Sequence, residues 1–386
     1  MSIFLGLFDG HNGSAAVLCD GRIEKAFQEE RLSRIKNHFG PPVQATEEIL
    51  SLLGASPADV NKVCLVSRYV PAPRDPRSIK DLFDDRYKSG VRQRLVRTCA
   101  NIDLYRKMRT RQRMQQRREV VVEWGFNPEQ IEFCDHHNAH AASAYYGLRK
   151  DSQPYLVLTL DGGGDGLSGS VWIGKTGALT PVATIPQADS LGEIYAATTH
   201  YLGFMPLEHE YKLMGMAPYG ADKYAQDVAR LYASYLDLDE RDPLRFVRSV
   251  PEQLSRIGPR LQHDLRRVRF DNICAGLQVF TENLIQRWVQ ACIEKTGVSR
   301  VLAAGGVFMN VKANKVIGEL DCVEYFEALP SCGDETLPFG GCYVTSEAAG
   351  EETQPLSHCY LGNDLAREEC QAALAPLDQV VVEEPE

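Results

Sequence analysis

Residues 131–140, IEFCDHHNAH, predict a short strand that runs directly into a helix. The first four residues have the apolar and β-branched character of a strand, and Asp135 is placed to cap the helix that follows. His136 and His140 then lie four residues apart and share one face of that helix. Two imidazoles on one face suit a divalent metal, although an isolated pair with this spacing is more often two half-buried histidines bonded to their neighbours.

The composition is typical of a globular protein. The chain has 386 residues, of which 44% are hydrophobic and 24% are charged, as in ordinary globular proteins. Its net charge of −10 gives no general reason to expect nucleic acid. No basic signal region or long apolar run predicts export or a membrane span. The eleven cysteines include no CxxC pair, which indicates reduced thiols and a cytoplasmic protein.

The first thirty residues predict an antiparallel meander. The apolar run IFLGLF ends at a polar turn, His11 to Ser14, and Asp20-Gly21 predicts a second turn between two strands. Small residues in the first turn would let backbone N–H groups approach a phosphate. Ordinary hairpin chemistry is the commoner explanation of such a turn, so the turn alone decides nothing.

Three later turns carry glycine and carboxylate residues. The segment DGGGDG at 161–166 joins two predicted strands, and Gly305-Gly306 joins the strand RVLAA to a helix. Gly333, Asp334 and Glu335 form a third turn before a helix of small residues. Exposed N–H groups next to carboxylates suit a nucleotide phosphate and its metal.

Two helical segments have simpler interpretations. Residues 271–296 form an amphipathic core helix that Gly297 ends. Residues 190–203 form a helix with Ser190 as its cap and Glu193 in a capping box, which could make Glu193 purely structural. Between positions 86 and 118 there are twelve Lys or Arg residues and one acid, Asp103. This segment is interpreted mainly as the solvated face of surface helices, and nucleic acid is not expected to bind there.

The order of these motifs resembles the acetate kinase, sugar kinase and actin superfamily. Within it, the chain is similar to the carbamoyltransferases of antibiotic and nodulation-factor biosynthesis, the NodU/CmcH type. The segments that carry the resemblance are DGHNGSAAV (9–17), EERLSRIK (29–36), HHNAHAASAYY (136–146), LTLDGGGDG (158–166), SLGEIYAATTHYLG (190–203), EYKLMGMAPYG (210–220), AAGGVFMN (303–310) and the GDE turn (333–335). They extend over most of the chain.

The resemblance implies a two-step reaction. ATP and carbamoyl phosphate give carbamoyl adenylate in a YrdC-like domain, and the carbamoyl group then passes to a hydroxyl of a small-molecule, natural-product acceptor. The implied metal, Fe²⁺ or another divalent ion, would be held by His136, His140, Asp161 and Asp334. The adenylate, with Mg²⁺ as an additional ion, would contact Gly162, Gly163, Gly164, Asp165, Glu193, Gly305, Gly306 and Asn310. His11 is the expected base for the acceptor hydroxyl, with bracing of its turn as the alternative, and Asn12 stands where many relatives have an aspartate.

The resemblance also implies a fold and an arrangement of domains. We expect an α/β protein with two lobes, residues 1–150 and 151–355, and a nucleotide cleft between them. Residues 356–386 are expected to form a linker or tail without the YrdC-like domain. We expect either that the sequence is a piece of a longer protein or that a separate YrdC-like subunit or a diffusible adenylate supplies the first step. Two alternatives remain: a tRNA threonylcarbamoyl transferase, which would give the basic segment a purpose, and a non-catalytic nucleotide-binding partner subunit.

Overall fold

A computed structural model describes residues 2–75, 78–88, 103–363 and 367–375. Part of the basic segment, residues 89–102, and the last residues, 376–386, lie outside the described ranges. The strands are β1 (Ile3–Phe8), β2 (Ser14–Cys19), β3 (Arg22–Gln28), β4 (Lys62–Val66), β5 (Ile131–Cys134), β6 (Tyr155–Gly164), β7 (Leu167–Lys175), β8 (Ala178–Pro186), β9 (Leu236–Leu238), β10 (Phe246–Arg248), β11 (Arg300–Ala304) and β12 (Tyr325–Ala328). The helices are α1 (Glu29–Ser33), α2 (Val43–Leu53), α3 (Ile79–Tyr87), α4 (Asp103–Glu123), α5 (His136–Leu148), α6 (Leu191–Tyr201), α7 (Glu210–Met216), α8 (Asp222–Ala233), α9 (Gly258–Leu265), α10 (Phe270–Thr296), α11 (Val311–Gly318), α12 (Leu337–Ala348) and α13 (Arg367–Leu374).

Two five-stranded sheets within the described ranges repeat one topology. The first has the order β3-β2-β1-β4-β5, and the second has the order β8-β7-β6-β11-β12. In the first sheet, β1, β2 and β3 form an antiparallel meander, and β4 and β5 run parallel to β1. In the second sheet, β6, β7 and β8 form the meander, and β11 and β12 run parallel to β6. The structure therefore confirms the predicted two-lobed α/β fold.

Strands β1 and β2 of the first sheet are buried at every position, which explains their continuous apolar runs. Asp20 and Gly21 both have positive φ, at 47° and 85°, as a tight two-residue hairpin requires. Alternate residues of β1 face opposite sides: Leu5 packs in the cluster that contains α2, whereas Phe4 packs in the cluster that contains α12. A strand covered on both sides can have apolar residues at every position.

Helices α5 and α12 connect the two sheets. Helix α5 packs on β6, β7 and β11 of the second sheet, whereas α12 packs on β1, β2 and β4 of the first. The two helices also contact each other, and a side chain at Gly340 of α12 would overlap the carbonyl of Ala139 in α5. Because each helix is tied to both halves, α5 holds its first turn where the halves meet. The lobe boundaries at residues 150 and 355 stay predictions.

Helix α10 is confirmed as a core helix. It begins one residue earlier than predicted and ends at Gly297, whose φ of 69° places it in the left-handed region. Among the described residues, no helix is long and apolar enough to cross a membrane. Part of the expected tail packs on the first half, since Leu361 is buried and its carbonyl accepts the N–H of Ala26 in β3.

Candidate metal centre and glycine turns

Four residues predicted as metal ligands lie together at one point. His136 and His140 come from the first turns of α5, Asp161 from the end of β6, and Asp334 from the turn before α12. One nitrogen or oxygen of each lies within 4.8 Å of the others. The Nε2 atom of His136 is 3.2 Å from Asp161 Oδ2 and 3.6 Å from Asp334 Oδ1. Three segments far apart in the chain thus converge on one small group.

The start of α5 is stabilised differently from the prediction. Asp135 occupies the N-cap position, but its carboxylate makes no capping hydrogen bond and instead contacts Arg68 at 2.9 Å. Asp165 of the second half accepts the N–H of His136 at 3.0 Å, and also accepts the N–H groups of Arg68 and Tyr69. The predicted cap by Asp135 is therefore wrong, because a carboxylate from the DGGGDG turn takes that role.

The two carboxylates of this group ionise differently. Burial opposes the ionisation of Asp161, but its hydrogen bond to His136 and the charges of nearby histidines hold its pKa well below the usual range. Burial raises the pKa of Asp334 to about 8, and the negative charge of Asp161 adds to the shift. Burial also lowers the pKa of His140, which favours its neutral form. Without a cation, the group favours protonated Asp334 and neutral His140 at neutral pH.

Unpartnered atoms show that these residues fit a divalent metal. Among the described residues, Asp334 Oδ1 and both ring nitrogens of His140 are buried and have no hydrogen-bond partner. Buried polar atoms are ordinarily bonded, so a set like this indicates a group that a ligand completes. Two imidazoles and two carboxylates form a donor set that suits Fe²⁺ and related ions.

Two of the glycine turns meet beside these residues. Strands β6 and β11 are parallel neighbours, so Gly162 to Gly164, the last residues of β6, and Gly305-Gly306, which follow β11, lie at the same edge of the sheet. The turn predicted at 161–166 is confined to Asp165 and Gly166, between β6 and β7. The N–H of Gly306 points to Asp161 Oδ1 at 3.3 Å. A side chain at Gly164 would overlap the ring of His136. Gly164 therefore permits the close approach of the turn to the histidine.

Three other predicted adenylate residues already have protein partners. The Asn310 amide bonds Gln278 and caps α11 by accepting the N–H of Ala313. Glu193 is buried and pairs with Arg86 at 2.9 Å, and the predicted capping box is incomplete: Ser190 accepts the N–H of Glu193, but the Glu193 side chain turns to Arg86. Together with Asp165, which accepts three N–H groups, these residues organise the site, and their contact with adenylate stays a prediction.

His11 lies in the first turn and pairs with Phe39 through a backbone bridge. Burial lowers its pKa to about 4, against the opposing influence of Asp161, Glu208 and Glu30. A histidine with this pKa is neutral at pH 7 and can accept a proton. Its role as the base stays a prediction.

Sequence reasoning missed Ser67 and Arg117. Arg117 lies in the basic segment that was interpreted as a solvated surface, yet it is only 2% exposed and pairs with Asp9. That interpretation is wrong for Arg117, although most of the described basic residues of α4 are exposed. Ser67 contacts the ring of His136 through its hydroxyl. The position of Arg117 on α4 gave no signal of this burial, because its partners, Asp9, Val66 and Ser67, lie at the ends of strands β1 and β4, far away in the chain.

The duplicated sheets and the histidine–aspartate group define an α/β protein with a candidate metal centre where its two halves meet. The chain belongs to the carbamoyltransferase family, since the model of the carbamoyltransferase N-terminus matches residues 4–335. This finding confirms the resemblance seen in the sequence.

Individual relatives agree with this family. The nodulation protein NolNO of Sinorhizobium fredii is 29% identical over 314 residues, which cover 79% of this chain and 42% of that protein. The uncharacterised protein sll1178 of Synechocystis is 30% identical over 327 residues, which cover 79% of this chain and 50% of that protein. The chain thus spans half or less of the length of these two relatives. HypF of T. kodakarensis, a solved structure, aligns over 91% of this chain and 48% of its own length, with 12% identity and a TM-score of 0.46.

Proposed function

We propose that this chain transfers a carbamoyl group from carbamoyl adenylate to a hydroxyl of a small-molecule, natural-product acceptor. The observation that carries the proposal is the group His136, His140, Asp161 and Asp334 beside two glycine turns, in a chain of the carbamoyltransferase family. A metal next to phosphate-binding turns is the arrangement that a reaction of an acyl adenylate needs.

The four residues would hold a divalent ion, for which we propose Fe²⁺. When bound, such an ion supplies Lewis acidity that polarises a carbonyl. The glycine segments Gly162 to Gly164 and Gly305-Gly306 would lie beside the phosphate of the adenylate, where Mg²⁺ could add charge neutralisation. The N–H groups of Gly305 and Gly306 donate to Cys332 and Asp161, so these two glycines would contribute close approach and not donors. Gly162 supports the proposal because the space where its side chain would stand is open, whereas the other four glycines let the backbone pack closely against protein atoms.

His11 would take the proton of the acceptor hydroxyl. As the acceptor oxygen forms its bond to the carbamoyl carbon, the bond from that carbon to the AMP oxygen breaks and AMP leaves. The proton moves from the hydroxyl to the neutral imidazole of His11. With its pKa lowered to about 4 by burial, the ring is unprotonated at neutral pH and has a free lone pair for this proton, although it is a weaker base than an ordinary histidine.

A YrdC-like domain would supply the adenylate from carbamoyl phosphate and ATP. The proposal is tested with the chain loaded anaerobically with Fe²⁺, the YrdC-like domain, both substrates and a panel of hydroxylated small molecules. Mass spectrometry should detect carbamoyl adenylate only when the YrdC-like domain is present, and a carbamoylated acceptor only when this chain is added. Carbamoyl adenylate formed by this chain alone would contradict the division of labour.

Nucleotide binding gives a second readout that needs no acceptor. Calorimetry with AMP and ATP should show binding to the wild-type chain and weaker binding to Gly306→Val, whose side chain would press on Asp161. Absence of binding even at millimolar nucleotide would contradict the nucleotide half of the proposal.

A further inference from the structure

Ser67 has a backbone conformation that is unusual for its residue type. It directly follows β4, and its φ of 66° lies in the left-handed region. This region is disfavoured for a residue with a Cβ atom, whereas glycine enters it without strain. Ser67 is also only 2% exposed, so its hydroxyl is not there for contact with solvent. Strained residues of this kind persist only where their surroundings hold them, and they concentrate at functional sites.

Three hydrogen bonds hold Ser67 in place. Its N–H donates to the carbonyl of Cys134 at 2.9 Å, and its carbonyl accepts from Nη1 of Arg117. Its Oγ lies 2.9 Å from Nδ1 of His136. Two of these partners, Cys134 and His136, flank the junction between β5 and α5. Ser67 is therefore tied to the segment that presents the first candidate metal ligand.

Arg117 extends this support to two strands. Its Nε lies 2.9 Å from both carboxylate oxygens of Asp9, which follows β1. Its Nη2 donates to the carbonyl of Val66, the last residue of β4, at 2.8 Å. The buried guanidinium thus fixes the ends of two neighbouring strands and the carbonyl of Ser67 at the same time. Motion of Ser67 away from His136 would break bonds inside the protein.

The ring of His136 has two different surroundings. Its Nε2 faces Asp161 and Asp334, and its Nδ1 faces Ser67. A neutral imidazole that offers the Nε2 lone pair to a cation carries its proton on Nδ1. That proton has an acceptor in the Ser67 hydroxyl, which fixes both the tautomer and the rotation of the ring. By contrast, neither ring nitrogen of His140 has a partner among the described residues.

We propose that Ser67 is a positioning residue for the metal group, held in its left-handed conformation by Arg117 and oriented so that its hydroxyl accepts the Nδ1 proton of His136. The inference rests on the metal site proposed above and assigns a role to a residue outside the four ligands. The competing explanation is that the turn after β4 merely needs a left-handed residue. In that case glycine would serve as well as serine, and the hydroxyl would contribute nothing.

The test compares Ser67→Ala and Ser67→Gly in the full chain. Both variants remove the hydroxyl, but Gly also removes the backbone strain, so it keeps the test valid if the Ala variant folds poorly. The probe is Fe²⁺ alone, titrated anaerobically into metal-free protein against a competing chelator. Circular dichroism and the Tm of the metal-free proteins report folding. The control is Ser346→Ala. The hydroxyl of Ser346 is also buried but, unlike that of Ser67, it has no hydrogen-bond partner among the described residues.

We expect both Ser67 variants to bind Fe²⁺ about 10- to 100-fold more weakly than the wild type, as outer-shell changes do. Ser346→Ala should bind as the wild type does, and the Tm of Ser67→Gly should be no lower than that of Ser67→Ala. The proposal is overturned if both Ser67 variants keep wild-type affinity while His136→Ala loses binding. If His136→Ala also keeps it, the metal site itself is wrong, which is a separate and recognisable failure.

Discussion

Asp334 Oδ1 lies 3.5 Å from His140 Nε2, too far for a hydrogen bond, and neither buried atom has another partner among the described residues. The gap between these two atoms explains why the group is poised for a cation. An ion bound by both would satisfy them and would allow Asp334 to ionise beside the negative charge of Asp161.

Asp334→Asn should separate metal binding from stability. Because burial keeps the Asp334 carboxyl protonated at neutral pH in the metal-free protein, an amide of the same shape should leave the Tm at pH 7 unchanged or slightly raised. Fe²⁺ affinity should fall by more than the about 10- to 100-fold that outer-shell changes cost. Anaerobic titration and thermal denaturation measure the two quantities. A strong fall in Tm without loss of affinity would mean that Asp334 is a structural residue.

Gly164→Ala tests the close approach of the turn to His136. The added methyl group would overlap the imidazole ring, so we expect a loss of about 1–3 kcal/mol in the free energy of unfolding and weaker Fe²⁺ binding. Gly162→Ala is the matched control, because a Cβ at that position meets no atom within 4 Å. Urea denaturation and metal titration should distinguish the two variants; equal behaviour would show that the turn can move freely.

Arg117→Met should destabilise the protein strongly. The substitution leaves the buried carboxylate of Asp9 without its partner, which costs about 3–5 kcal/mol in comparable buried pairs. Arg111→Met, on the exposed surface of the same helix, should change the free energy of unfolding by less than about 0.5 kcal/mol. The double variant Asp9→Asn with Arg117→Met should recover part of the loss in urea denaturation. Similar losses for both single arginine variants would argue against a special role for the buried pair.

Glu210 should make stability depend on pH. Burial raises its pKa to about 7, so between the unfolded value of about 4.5 and 7 the folded state binds the additional proton. The contribution of Glu210 to the free energy of unfolding is present at low pH and is lost as the pH rises through 7. The free energy of unfolding falls over this range with a slope of at most about 1.4 kcal/mol per pH unit. Glu210→Gln keeps an acceptor for the N–H of Leu207 and should remove that dependence. Urea denaturation at pH 5 and pH 8 gives the comparison, and parallel pH curves for wild type and variant would contradict the expectation.

Several parts of the fold could be predicted because they depend on neighbours in the chain. Helix α2 ends at Gly54, and this end follows from the left-handed conformation that glycine favours. The spacing of His136 and His140 on one helical face is likewise local. The order of the motifs led to the family, which the match over residues 4–335 confirms.

The sequence by itself determined the opening meander, the pair of histidines on one helical face and the core helix α10, because periodicity and turn chemistry are properties of short segments. The set of four candidate ligands followed from the resemblance that the order of the motifs carries. Only the tertiary structure decided the contact of Ser67 with His136, the burial of Arg117 against Asp9 and the replacement of Asp135 by Asp165 at the start of α5. These contacts join residues between 29 and 108 positions apart. Burial, and the pKa shifts that follow from it, depend on which distant segments pack together, and no local pattern specifies that.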